Sequence, residues 1–355
     1  MDIVSLLAVL DGMEERTVSP VLATIVRTTG HSYRKKDAAM LILPGGTKAG
    51  SISPGCLEDD LQARADIVAS SGMPELVAYN MKPHEDAIWG EAIGCGGEIT
   101  VLLEAVQGEL LLLLQAASQL LQNGEPARLC RQWQGPFMGY TLSRGLIRGT
   151  GFKAARTDQA FLDSVWMPKP RLILFGAGHD AEAIAALAEN AGFHVITTDW
   201  RDGRLISGHS MIGSPAEIQD SLNMGRGDYL IVCSHHQLKD RAMLEQALPL
   251  GLSYIGILGS RARIAMLLDG LIVTSNLHAP VGLPIGADGP LQIAISIAAE
   301  LIAVHSRSVH AAVEREDMYE NRLHLFGGGL EQEDGRAEAV AGAGSGHHGW
   351  RPGLA

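Results

Sequence analysis

The stretch Leu172-Ile173-Leu174-Phe175-Gly176-Ala177-Gly178-His179-Asp180-Ala181 decides the fold. A short apolar run of strand character enters the pattern G-x-G-x-x-A and continues into a helical segment. Gly176 permits the tight turn, Gly178 lets a phosphate approach the backbone, and the small Ala181 lets helix and strand pack closely. Exposed N–H groups at the helix start favour an anion. Further apolar runs at 194–198, 229–234 and 254–258 alternate with helical segments, and Asp199 closes the second strand. That alternation predicts a Rossmann-like, doubly wound parallel sheet.

Upstream the pattern changes. A helix is expected over 3–15, strands over 20–28, 38–43 and 47–53 with a turn at Pro44-Gly45-Gly46, a helix over 57–71, and a strand over 98–104 after the glycine cluster Gly94-Cys95-Gly96-Gly97. These elements describe an N-terminal α+β domain over 1–105. A connecting region, 106–169, carries a helix over 110–123 and strand candidates at 127–133 and 139–142. Pro168 and Pro170 punctuate the chain before the C-terminal domain, 170–310. The end, 327–355, is glycine, alanine and acidic residues with few large apolar side chains, and reads as a flexible tail.

The formal net charge of −12 opposes nucleic acid and anionic membranes as partners. The apolar run 110–114 falls far short of the ~20 residues that cross a bilayer, and no basic segment precedes the first apolar stretch, so a cytoplasmic protein is expected. Four widely spaced cysteines, Cys56, Cys95, Cys130 and Cys233, lack zinc-site spacing and should remain thiols there.

Each candidate ligand-binding residue has a bland alternative. Asp199 could accept a ribose hydroxyl or stand as a solvated strand-end carboxylate. Arg201 could pair with a phosphate or be a surface charge; His179 could contact ligand or cap the helix. His235 and His236 fall at the C-terminal end of a strand, where such folds bind ligands, or are polar loop residues. Arg34-Lys35-Lys36 could grip an anionic cofactor or partner, or be a solvated turn.

Several ordered motifs resemble the XdhC/CoxI family of xanthine dehydrogenase accessory proteins. They are Gly50-Ser51-Ile52-Ser53-Pro54-Gly55-Cys56-Leu57-Glu58, Gly94-Cys95-Gly96-Gly97-Glu98, Phe175-Gly176-Ala177-Gly178-His179-Asp180, Thr198-Asp199-Trp200-Arg201, Ile257-Leu258-Gly259-Ser260-Arg261, and the segment from His278 to Glu300. The chain departs from the family pattern at Pro54, where relatives carry glycine, and at Asp288-Gly289-Pro290, which lacks an acidic pair.

The resemblance implies a chaperone that binds the molybdenum cofactor (molybdopterin), supports its sulfuration with a cysteine desulfurase, and inserts it into a xanthine dehydrogenase-type molybdenum hydroxylase. It implies a non-catalytic insertion factor, with a nucleotide in the Rossmann domain as a further expectation. The chain is expected to form a homo-oligomer. Cys56 and Cys95 become the candidate metal ligands, because thiolate suits a soft molybdenum–dithiolene centre and a cysteine just before a helix has its pKa lowered. Their alternative is packing as small buried hydrophobes, the role expected of Cys130 and Cys233. Cofactor binding is expected at Cys56, Cys95, Gly176, Gly178, His179, Asp199 and Arg201, with both domains holding one ligand. An NAD(P)-dependent oxidoreductase is the alternative, yet Tyr33-Arg34-Lys35-Lys36 lacks the Tyr-x-x-x-Lys spacing of short-chain dehydrogenases. A scaffold that only docks on the hydroxylase is a third reading.

Overall fold

The computed structural model describes residues 2–13, 18–82, 96–134, 137–145, 160–202 and 208–327. The chain divides into compact units Met1–Ala312 and Val313–Ala355, and every element but the end of the last helix belongs to the first.

The first elements are α1 (Ile3–Asp11), β1 (Val21–Thr29), β2 (Ala39–Ile42), β3 (Lys48–Gly50), α2 (Glu58–Ser71), β4 (Glu75–Asn80) and β5 (Glu98–Ala105). β1 is rich in β-branched residues, as a pleated and half-buried surface favours. The strands form an antiparallel sheet of order β3-β2-β1-β5-β4. Alternate residues face opposite sides: Val21, Ala23 and Ile25 pack with Leu57 and Leu61 of the α2 side. Leu22 and Leu41 pack on the other side with Leu6, Leu10 and Leu110.

Next come α3 (Gly108–Gln122), β6 (Ala127–Gln134), β7 (Phe137–Arg144) and β8 (Ala160–Trp166), the strands forming an antiparallel sheet of order β7-β6-β8. Ala127, Leu129 and Trp166 share the α1–α3 core. A buried ion pair lies in this region: Arg131 Nε is 3.3 Å from Glu104 Oε2, each side chain 1% exposed. Burial pushes the Glu104 carboxyl up despite the cation beside it.

The third group is β9 (Arg171–Phe175), α4 (His179–Asn190), β10 (His194–Asp199), β11 (His209–Ile212), α5 (Pro215–Leu222), β12 (Tyr229–Val232), α6 (Gln237–Ala247), β13 (Tyr254–Ile257), α7 (Arg261–Leu268), β14 (Leu277–His278) and α8 (Pro290–Gly327). All six strands are parallel, in the order β11-β10-β9-β12-β13-β14. This is the dinucleotide-fold order, which reverses direction between β9 and β12. Both faces are covered. Leu172 and Leu174 pack with α4 and α8, whereas Ile173 and Phe175 pack with α5, α6 and α7.

The Rossmann-like fold class stands as expected. Differences lie at the element ends and in four strands, β4, β8, β11 and β14, that are not among those expected from the sequence. The strand expected over 47–53 ends at Gly50, which frees residues 51–57 as a loop; that over 229–234 ends at Val232. α1 ends at Asp11, short of the expected 15. The tail expected over 327–355 lies, after Gly327, outside the described residues. Among the described residues no helix is long and apolar enough to cross a membrane.

Candidate functional site

Two loops hold the candidate residues that the structure describes. The first, between β3 and α2, is built around Ser53 and Glu58, both buried. Glu58 Oε1 accepts the Ser53 N–H at 2.9 Å, and its Oε2 accepts the Leu57 N–H at 3.1 Å and the Ser53 hydroxyl. Ser53 Oγ in turn accepts the N–H groups of Gly55 and Leu57, each at 3.2 Å, and the Cys56 thiol at 3.4 Å. Burial alone would push the Glu58 carboxyl up. The hydrogen bonds from Ser53 and Leu57 outweigh it and hold the group below the usual carboxylate range. Cys56 therefore projects from a loop whose backbone is pinned from inside, with its thiol exposed. The packing alternative for Cys56 does not hold, whereas Cys130 and Cys233 are buried. Burial raises the Cys233 thiol far above its ordinary value. Cys95 lies outside the described residues.

The second loop joins β9 to α4 at the switch point of the parallel sheet, the edge where open α/β sheets take ligands. Gly176 has φ +122°, and a Cβ there would collide with the backbone of Cys233 and Ser234. Its glycine is demanded by the neighbouring strand end as well as by the turn. At Gly178, by contrast, an added Cβ would meet nothing within 4 Å. The space over Gly178 is open.

Asp199, fully buried at 0% exposure, holds this loop. Its Oδ2 accepts the Ala177 N–H at 2.8 Å, and its Oδ1 accepts the Arg201 N–H at 2.9 Å. The Arg201 side chain adds a two-pronged pair at 2.9 and 2.7 Å. The burial cost is outweighed by these donors, and the carboxyl sits below its ordinary range. Asp199 is thus not a solvated strand-end carboxylate. Its donors are internal, and the charge offered outward is Arg201, whose side chain is 34% exposed and lies over the Trp200 ring at 4.5 Å.

His179 is exposed as the first residue of α4; the cap is Gly178, without a side-chain bond, so His179 is not the helix cap. The same turn carries Asp180 and Glu182, which lower its appetite for anions. Asp180 is engaged with His235, Nε2 to Oδ2 3.1 Å, and His235 holds a positive φ of 59°. His236 caps α6 by accepting the Lys239 N–H at 3.3 Å and stands edge-on to Trp200.

Three further residues brace this rim. Ser234 donates to the buried Asp240, which also pairs with Arg263, and Arg263 reaches the His235 carbonyl at 3.4 Å. Desolvation raises the Asp240 carboxyl despite those partners. A helix start at Ser260 was the available signal, since it places Arg263 one turn into α7. Cys56 lies between β3 and α2 and the 176–179 loop between β9 and α4, in different sheets' connections. Among the described residues there is no cluster of three or more metal-binding side chains.

The sequence profile described as the XdhC Rossmann domain matches residues 172–301, and that of the XdhC and CoxI family matches 14–80. A protein of Bacillus subtilis (strain 168) described as a probable xanthine dehydrogenase subunit is 31% identical over 319 residues, spanning 84% of this chain and 97% of its own. The molybdenum cofactor insertion chaperone PaoD of Escherichia coli (strain K12) is 25% identical over 294 residues, 80% of this chain and 83% of its own. Among solved structures, a xanthine dehydrogenase from Bacillus halodurans superposes with a TM-score of 0.77 at 32% identity, covering 86% of this chain and 96% of that one.

Two expectations follow from the loops. Gly176→Ala should lose about 2 kcal/mol or more in urea denaturation, because both φ and space forbid the methyl, while Gly178→Ala should stay within about 0.5 kcal/mol. Equal effects would contradict the division of roles. For Glu58 the folded pKa lies below the unfolded one, so its contribution is present above about pH 4.3 and is lost as pH falls through the folded value. Glu58→Gln should therefore be less stable than the parent at pH 7, with the gap narrowing on acidification below about pH 4. A gap that widens in acid would contradict the assignment.

Proposed function

The chain belongs to the XdhC and CoxI family, and from that premise we propose that it is an accessory protein that holds the molybdenum cofactor and passes it to a xanthine dehydrogenase-type molybdenum hydroxylase. The observation that carries the reading is the exposed Cys56 thiol on a loop pinned by Ser53 and Glu58. A soft metal centre takes a thiolate readily, and an immobilised loop loses little freedom on binding. The name carried by the Escherichia coli relative supports the same role.

In this proposal Cys56, with Cys95 as its candidate second thiol, meets the metal end of the cofactor. Gly176, Gly178, His179, Asp199 and Arg201 form the phosphate end: Gly178 leaves room for the approach, Asp199 holds the loop, and Arg201 presents charge outward. The same glycine loop is the place for a nucleotide. When bound, the cofactor supplies the molybdenum–dithiolene centre that the receiving hydroxylase uses. The protein's own contribution is to bind, orient and release. Sulfuration with a cysteine desulfurase partner, cytoplasmic location and assembly with copies of itself complete the proposal.

Activation of a cofactor-free molybdenum hydroxylase by the purified, cofactor-loaded protein tests this. Cys56→Ala and Gly178→Val should each lower activation about tenfold or more, equivalent to ~1.4 kcal/mol of lost interaction. Both melting temperatures should be unchanged, since one side chain is exposed and the other position opens on free space. Full activation by both variants would overturn the site.

A further inference from the structure

A cavity of about 740 Å³ lies at the opposite edge of the parallel sheet from the glycine loop. Arg171, His194 and Tyr229 line it, and they are the first residues of β9, β10 and β12. The end of α3, the linker at 167–170 and α8 at His305 and Ser308 close its sides.

Its charge is unlike that of the molecule as a whole. On a chain of net charge −12, the one carboxylate in this lining is Asp228. Arg171 grips Asp228 at 2.8 and 2.6 Å, and the Gly225 N–H adds a bond at 2.9 Å. Lys169 and Arg226 also line the cavity, and among the described residues neither has an acidic partner. His194 registers the field: burial lowers its pKa, and repulsion from His209, Arg171 and Lys169 lowers it further.

A second cavity of about 480 Å³ shares Met167 and His305 with the first and is lined by Arg34, Lys35 and Lys36. The carboxylates there are engaged as well. Asp37 accepts the Ser164 hydroxyl at 2.7 Å, and Asp2 caps α1 by accepting the Ser5 N–H at 2.8 Å. The basic triplet of the sequence thus lines a cavity that adjoins the one at Lys169 and Arg226.

The rest of the lining is apolar, with Val4 and Ile196 half-buried and Tyr229 buried at 2% exposure. Tyr229 stacks on Tyr254 with ring centroids 5.9 Å apart and touches His305 at 3.4 Å, with Val4, Leu121 and Ile196 alongside. A pocket of several hundred Å³ with an apolar wall and a few convergent polar groups is the usual form of a small-molecule site. We propose that the cavity at the N-terminal edge of the parallel sheet is a second ligand site, which takes a small organic phosphomonoester. The phosphate is held by Lys169 and Arg226, and the organic part lies against Val4 and Ile196. The site is independent of the glycine loop and of the cofactor reading built on it.

Calorimetric titration of the full chain with adenosine monophosphate and, separately, neopterin monophosphate tests this and distinguishes a nucleotide from a pterin source. At least one should bind. Lys169→Glu and Arg226→Glu should each weaken it about tenfold or more, with unchanged melting curves because neither cation has an acidic partner to lose. In the Gly178→Val background, where the glycine loop no longer takes a phosphate ligand, the charge-sensitive binding should persist with a dissociation constant within about twofold, which separates this site from the glycine loop. Binding of neither probe to the parent protein would overturn the proposal. So would binding abolished by Gly178→Val and indifferent to both charge reversals.

Discussion

The arrangement at the switch point depends on one buried carboxylate. Asp199 ends β10 inside the protein, and its oxygens tie the Ala177 N–H of the glycine loop to the backbone and guanidinium of Arg201. A carboxylate at 0% exposure would be costly without partners; with four donors it becomes a rigid cross-brace between β9 and β10. Gly176 is pressed against the Cys233–Ser234 backbone on the other side. Ser234, Asp240 and Arg263 then lock the next loop in place. The rim is thus fixed from three directions while the space above Gly178 stays open. A ligand arriving there finds the backbone already set, and pays little to order it.

The Cys56 loop repeats this design with different residues. There the buried acid is Glu58, the hydroxyl is Ser53, and the group left facing outward is a thiol. In both loops a buried carboxylate collects backbone N–H groups so that a neighbouring side chain can project. The acidic composition of the chain is consistent with this inward use of carboxylates, and it makes the basic trough beneath the parallel sheet stand out against its surroundings.

Much of the Rossmann-like half is legible in the sequence because its constraints are local. The tight turn at Gly176, the small Ala181, and the short apolar runs of β9, β10, β12 and β13 all act over a few residues. What escapes the reading is decided by tertiary contact. A carboxylate at a strand end can face in or out, and nothing near Asp199 in sequence says that Ala177 will be waiting for it. β4 alternates buried and exposed residues in part only, and begins with Glu75, so its period is weak. β11 is four residues long and begins with a histidine and a serine. The pairing of Asp240 with Arg263 spans two helices. The role of Glu58 was hidden for the opposite reason: it lies close to Ser53 in sequence, but only the end of β3 at Gly50 frees the loop that lets them meet.

Carriage of the molybdenum cofactor, as proposed for this protein, is read from its composition when purified from a cofactor-producing host. Elemental analysis for molybdenum combined with fluorescence of the oxidised pterin should find both in the purified protein, in matching amounts, and neither in protein from a host that cannot make the cofactor. Protein from the producing host that contains neither molybdenum nor pterin would contradict the account.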